Sequence, residues 1–222
     1  MLHDIYMNLI AKDRWMLILQ GLGNTLLISL CAVLLGLVLG CIFALFKVSN
    51  SRILKGAGNL YTTVIRGIPL ATQLMIFYFV VFGPFQVDKL LVAIIGYGIN
   101  SGAYVTEIIR AGIQGVDRGQ MEAGRSLGLT KGQTMRKIIL PQAVKTILPT
   151  YASEFITLVK ETSVVSFIGV MDLTKAGDMI RNATYNAWVP LITAAVIYLL
   201  MTIGLTKLFS LFERRLARSD RH

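Results

Sequence analysis

A chain of 222 residues in which 55% of side chains are hydrophobic and 15% charged, with a mean hydropathy of +0.65, is too apolar for a soluble domain of that length. Its formal net charge of +10 would suit nucleic acid if it formed a stripe on a soluble surface, but here it lies between long apolar runs, which excludes that class. Cys31 and Cys41 stand about 15 Å apart along one helical run and cannot bridge, and His3 and His222 sit at opposite ends without neighbouring ligands, so neither a disulfide framework nor a metal site has support.

Runs of about 20 apolar residues match the thickness of a hydrocarbon core, and the sequence holds five, over 19–46, 57–82, 90–109, 143–168 and 188–212. They predict an all-α polytopic membrane protein, one domain over 1–222, with a polar loop at 110–142. The first run is far longer than the apolar core of a cleavable leader and no small-residue site closes it, so it is expected to stay in the mature chain. Within it Ala32, Gly36, Gly40 and Ala44 recur every fourth residue, and Gly98 and Gly102 repeat the spacing in the third run. Small side chains at that spacing let a neighbouring helix approach closely, and packing inside the bundle is a plainer expectation than a dimer seam.

At the inner end of the third run, Glu107 and Arg110 have the i, i+3 spacing of a structural ion pair. The loop that follows reads as folded. Gln120 to Leu127 can make a short helix, Gly128 suits the turn after it, and Thr130 with Gln133 has capping-box spacing. Met135, Ile138 and Ile139 then share one face while Arg136 and Lys137 point elsewhere, and Pro141 is expected to stop the helix. A hairpin with one apolar face and a basic flank either lies on a membrane surface or enters a groove on another protein, and spacing alone does not separate the two.

The fourth run carries Ser153, Glu154, Thr157, Lys160 and Glu161. Glu154, Thr157 and Glu161 share a helix face at i, i+3 and i+7, with Ser153 and Lys160 adjacent. A charge at bilayer centre costs about 2.5–3.5 kcal/mol on insertion scales, so these residues should face the bundle interior or a watery path. Lys160 and Glu161 are expected to pair, whereas Glu154 either packs or receives an ammonium group, with Ser153 and Thr157 adding hydrogen bonds. Arg66, at an inner interface, is expected to snorkel or to brace the 110–142 loop.

Five spans put the termini on opposite sides. With the N-terminus outside, the inner segments hold 16 of the 22 Lys and Arg: Lys47, Arg52, Lys55 and Arg66, seven from Arg110 to Lys145, and Lys207, Arg214, Arg215, Arg218 and Arg221. The outer segments hold Lys12, Arg14, Lys89, Lys175 and Arg181, balanced by Asp4, Asp13, Asp88, Asp172 and Asp178. The positive-inside rule therefore predicts N-terminus out and C-terminus in, with Trp188 and Tyr185 at the outer interface.

Glu122, Ala123 and Gly124, then Gly128, then Ile138 and Leu140-Pro141, resemble the EAA loop of ABC importer permeases in register throughout, with Gly124 where the family usually has Ala. Gly at that place would loosen the first hairpin helix by about 1 kcal/mol. The runs RGIPLATQL (66–74), AYVTEIIRAGI (103–113), LPQA (140–143) and KETSVVS (160–166) are similar to the permeases that import polar amino acids. The resemblance implies a type I importer permease fold in a bacterial inner membrane. Its hairpin, here Glu122, Ala123, Gly124, Gly128, Met135, Ile138, Leu140 and Pro141, would couple to a cytoplasmic ABC ATPase. A second permease subunit and an extracytoplasmic binding protein are the other implied partners.

The sequence has no G-x-x-x-x-G-K-[ST], so ATP and Mg are expected on the partner ATPase and no cofactor on this chain. It has no G-x-S-x-G elbow or H-E-x-x-H pair either, and catalysis by this chain is unsupported. A secondary transporter using the intramembrane carboxylates, and a channel subunit or peripheral scaffold, stand as alternatives, although no internal repeat of the kind secondary transporters show is evident.

Overall fold

A computed structural model of the chain describes residues 2–218, with side chains over 4–212. The side chains of His3, Arg214, Arg215 and Arg218 lie outside that range, as do Arg221 and His222 altogether. A short α1 (Leu2–Ile5) and two irregular turns lead into α2 (Trp15–Val48), whose 34 residues extend about 51 Å. Ser51 then accepts from the Leu54 amide at 3.4 Å and starts α3 (Arg52–Gly67).

The run expected as a single span over 57–82 is instead two helical pieces, α3 and a segment made of α4 (Leu70–Met75) and a π turn (Ile76–Val81), bent by 102°. Pro69 is the cause. It has no amide hydrogen to continue the ladder, and it forces Ile68 into an extended conformation with φ −109° and ψ 134°. Gln73 closes the break, its side-chain amide donating to the Ile65 and Ile68 carbonyls at 2.5 and 2.7 Å.

Asp88 caps α5 (Lys89–Gln114), accepting from Leu90 and Leu91. The hairpin follows as α6 (Arg118–Ser126), a turn at Gly128 with φ +83°, and α7 (Lys131–Thr134). A π turn at Met135–Ile139 then runs straight into α8 (Leu140–Glu161). Pro141 does not stop the helix. It sits in the first turn of α8 directly after the π turn, whose wider ladder takes up the missing amide hydrogen and the change of register. A 3₁₀ segment (Thr162–Ile168) ends at Gly169, φ +74°, before α9 (Leu173–Thr184) and α10 (Trp188–Arg218).

Among the described residues, α2, α5 and the Trp188–Phe212 part of α10 are long and apolar enough to cross a membrane, and the bent α3–α4 pair makes a fourth crossing if it is one span. The core is built around α2 and α5. Ala32, Gly36, Gly40 and Ala44 are all buried. A methyl group on Gly36 would sit 2.9 Å from the Ser101 side chain, and one on Gly98 would sit 2.5 Å from Leu35. The small-residue stripes are thus a seam within one bundle. On either side, Ile28, Leu74, Tyr97, Leu158 and Val165 form one apolar cluster, and Val33, Phe155 and Val159 another. Cys31 and Cys41 are free thiols.

Candidate functional site

The charged stripe of α8 sits on the bundle rather than in its centre. Phe155 anchors the helix, buried and edge-on to Phe209, and the Tyr151 hydroxyl donates to the Val33 carbonyl of α2 at 3.0 Å. This fixes Glu154 half-buried, facing Ser101 of α5, with Arg66 and Glu161 close enough to interact electrostatically. The Ser101 hydroxyl is buried, and Glu154 is the acceptor it faces, although the two do not meet in a well-formed hydrogen bond. A polar atom arriving between Ser101 and Glu154 would satisfy it.

Thr157 is half-buried on the same face, while Ser153, Lys160 and Glu161 are exposed on this single chain. The expected Lys160–Glu161 bridge is absent: among the described residues Lys160 has no carboxylate within 4.0 Å. Adjacent residues on a helix point about 100° apart, which is why the two side chains do not meet. Instead the Tyr97 hydroxyl donates to the Glu161 carbonyl at 2.7 Å and ties α5 to the end of α8.

Arg66 is exposed and makes no hydrogen bond or ion pair to the hairpin among the described residues. Its guanidinium lies over the Tyr104 ring, 5.0 Å from the centroid. Nearby, Glu107 takes both Arg110, at 2.7 Å, and Lys47 of α2, whose ammonium also reaches the Thr62 hydroxyl at 3.0 Å. The sequence shows the Glu107–Arg110 spacing but hides Lys47, which is 60 positions away.

The hairpin is a packed unit. Thr130 and Gln133 exchange both bonds of the capping box, at 2.8 and 3.2 Å. Gly124 is buried against Thr134 and Ile138, and a methyl group there would fall 2.5 Å from the Thr134 methyl carbon. Its glycine is what close packing requires, not a flaw in the helix. Glu122 and Ala123 are exposed, as are Leu140 and Pro141. Leu127, which sequence reasoning passed over, is an 81% exposed apolar side chain at the hairpin tip. Beneath the hairpin Met121, Met135, Ile139, Ile113 and Val116 line a cleft of about 430 Å³. At the opposite end of the bundle Asn24, Tyr78, Phe82, Asp88 and Lys89 line a larger one of about 680 Å³.

Comparison with known proteins places this architecture. The family model described as "Binding-protein-dependent transport system inner membrane component" matches residues 36–218. An arginine transport system permease protein of Bacillus subtilis (strain 168) is 42% identical over 206 residues, covering 91% of this chain and 94% of that protein. A permease protein named for glutamine transport in Rickettsia bellii (strain RML369-C) is 40% identical over 92% of this chain and 95% of its own. Among solved structures, a chain of an amino acid ABC transporter crystallised with histidines superposes with a TM-score of 0.85 at 45% identity, covering 90% and 94% of the two chains. A methionine ABC transporter in an inward-facing conformation shares the fold, with a TM-score of 0.80 at 20% identity over 92% and 98%.

Proposed function

Because the chain belongs to the family of binding-protein-dependent transport system inner membrane components and is a permease subunit of an amino acid ABC transporter, we propose that it lines the path of a polar, preferentially basic, amino acid. The observation that carries the reading is Glu154: a half-buried carboxylate that faces the buried Ser101 hydroxyl and is held in no ion pair among the described residues. On α8, Glu154, Lys160 and Glu161 sum to one negative charge, offset only by Arg66 from α3, and a cationic side chain can take Arg66's place beside Glu154 where a neutral one cannot. Thr157 and Ser153 stand beside Glu154 to accept or donate. The relatives named for arginine and glutamine, and the neighbour crystallised with histidines, support a polar cargo with nitrogen-rich side chains among its candidates.

The hairpin is the docking element for a cytoplasmic ATPase that binds ATP and Mg, with Glu122, Ala123 and Leu127 on its outer face. That places the hairpin inside, the N-terminus and the 680 Å³ cleft outside, where a binding protein delivers cargo, and a second permease subunit across the path. The distribution of 16 inner Lys and Arg supports this orientation. The test is uptake of arginine and of glutamine into proteoliposomes carrying the assembled transporter and its binding protein. Removing the charge of Glu154 with Glu154→Gln leaves a cation without compensation in a desolvated path, so arginine uptake should fall far more than glutamine uptake. Unchanged arginine uptake by the variant, or none by the wild type, returns Glu154 to a packing role.

A further inference from the structure

The helix α3 is built like a membrane-surface helix, not a span. It crosses α2 at the last turn before Lys47, the first charge after the apolar run, and so closely that a methyl group on Gly58 would lie 2.7 Å from the Lys47 side chain and 3.3 Å from the Phe43 carbonyl. Its axis is bent by 102° from the helical segment that follows. Two segments at about a right angle cannot both follow the bilayer normal, and α3, packed at the charged end of α2, is the one placed to follow the surface.

Its sequence is sorted around the axis in three bands. Gly58 and Thr62 are buried on the bundle. Ile53, Leu60 and Val64, at i, i+7 and i+11, form a ridge that is 83%, 67% and 45% exposed and that no other described segment covers. Arg52, Lys55, Asn59, Thr63 and Arg66, at i, i+3, i+7, i+11 and i+14, make a third, cationic band. Neither Arg52 nor Lys55 has an ion pair among the described residues.

The cationic band ends in a cleft of about 450 Å³ lined by Lys47, Thr62, Thr63, Arg66, Tyr104 and Glu107. There Lys47 and Arg110 share the single carboxylate of Glu107, so one positive charge is left over, and Arg66, in no ion pair among the described residues though partly offset by Glu154, adds to it. A cleft with a surplus of positive charge and a threonine hydroxyl at its edge suits a phosphate, and an apolar ridge on the same helix suits acyl chains.

We propose that α3 lies in the inner leaflet surface and that this cleft holds the headgroup phosphate of an anionic phospholipid, whose chains cover Ile53, Leu60 and Val64. Charge complementarity and the continuity of ridge and cleft along one helix favour a lipid over a soluble phosphate or a second copy of the chain. The choice of inner leaflet rests on the orientation proposed above; the lipid site does not.

Two measurements on the full transporter, permease with its ATPase subunits, test it. In the first, the complex is reconstituted in nanodiscs of mixed phosphatidylcholine and phosphatidylglycerol, and retained lipid is counted by native mass spectrometry. Wild type should retain phosphatidylglycerol preferentially, and Arg66→Gln and Lys55→Gln should each lower that preference roughly fivefold. In the second, a fluorophore on Leu60→Cys should be quenched by nitroxide lipids, and one on Asn59→Cys much less. Equal retention of the two lipids by wild type, undiminished preference in Arg66→Gln, an unquenched label at 60, or a disulfide joining two copies through Leu60→Cys would each overturn the proposal. Neither readout depends on uptake, so failure of the transport reading leaves both results interpretable.

Discussion

Gly124→Ala places a methyl group against Thr134, 2.5 Å from its methyl carbon and 2.9 Å from its hydroxyl oxygen. Thr134 has little freedom to yield: it is fully buried, and its hydroxyl donates to the Thr130 carbonyl at 3.0 Å. Overpacking of this kind costs about 1–3 kcal/mol, while replacing a helical Gly by Ala returns about 1 kcal/mol. The net expectation is a hairpin destabilised by about 1 kcal/mol, a roughly fivefold increase in its opening. Hydrogen exchange reads this directly at two amides that close the turn, Leu127 donating to Ala123 at 3.0 Å and Leu129 donating to Gly124 at 3.1 Å. In a Thr134→Ala background the two nearest obstructing atoms are gone and only the flexible end of Ile138, 3.2 Å away, remains, so the same substitution should there slow exchange. The packing argument is refuted if Gly124→Ala slows exchange at these amides in the wild-type background, or if its effect is the same in both.

Lys47→Met strips one of two cations from Glu107. Because Arg110 remains bonded to that carboxylate, the loss should be about 2 kcal/mol rather than the larger cost of a stranded buried charge, seen as a thermal transition lowered by roughly 4–8 °C; an unchanged transition would make the network ornamental. Adding Glu107→Gln should recover part of that loss. Glu122→Lys inverts charge on the outer face of the hairpin, and co-purification with the ATPase should fall at least about tenfold while the chain still inserts; wild-type association and uptake would remove this face from coupling. Cysteines replacing Asp178 and Arg181 should react with impermeant reagent from one side, and those replacing Arg118 and Lys137 only from the other. A cysteine replacing Asp172, which is fully buried, should react from neither side. Inverted labelling would overturn the orientation.

What the sequence could express was local. The capping box at Thr130 and Gln133, the positive φ of Gly128 and the Glu107–Arg110 pair each depend on residues within a few positions, and each is where the sequence places it. Small-residue periodicity also foretold a close helix seam, because only tight approach makes a run of buried glycines useful. Contacts set by the meeting of distant segments were not readable. Nothing near Lys47 points to Glu107, and nothing near Gly124 announces that Thr134 will occupy the space of its missing side chain. Proline was read too simply: at 141 it opens a helix instead of closing one, and at 69 it divides an apolar run into two pieces at a steep angle. Both outcomes depend on the backbone before the proline, a π turn that accommodates it at 141 and an extended residue that breaks the ladder at 69.

Since Gly36 meets Ser101 and Gly98 meets Leu35 with no room for a methyl group on either side, α2 and α5 mesh like two combs. Sliding one past the other by half a turn would drive tooth into tooth. Alternation between open and closed paths therefore has to be carried by helices outside that pair. Two spectroscopic labels, one on α2 and one on α5, would keep a single separation through a whole transport cycle, an internal ruler against which the displacement of α8 or α10 can be read in the same sample.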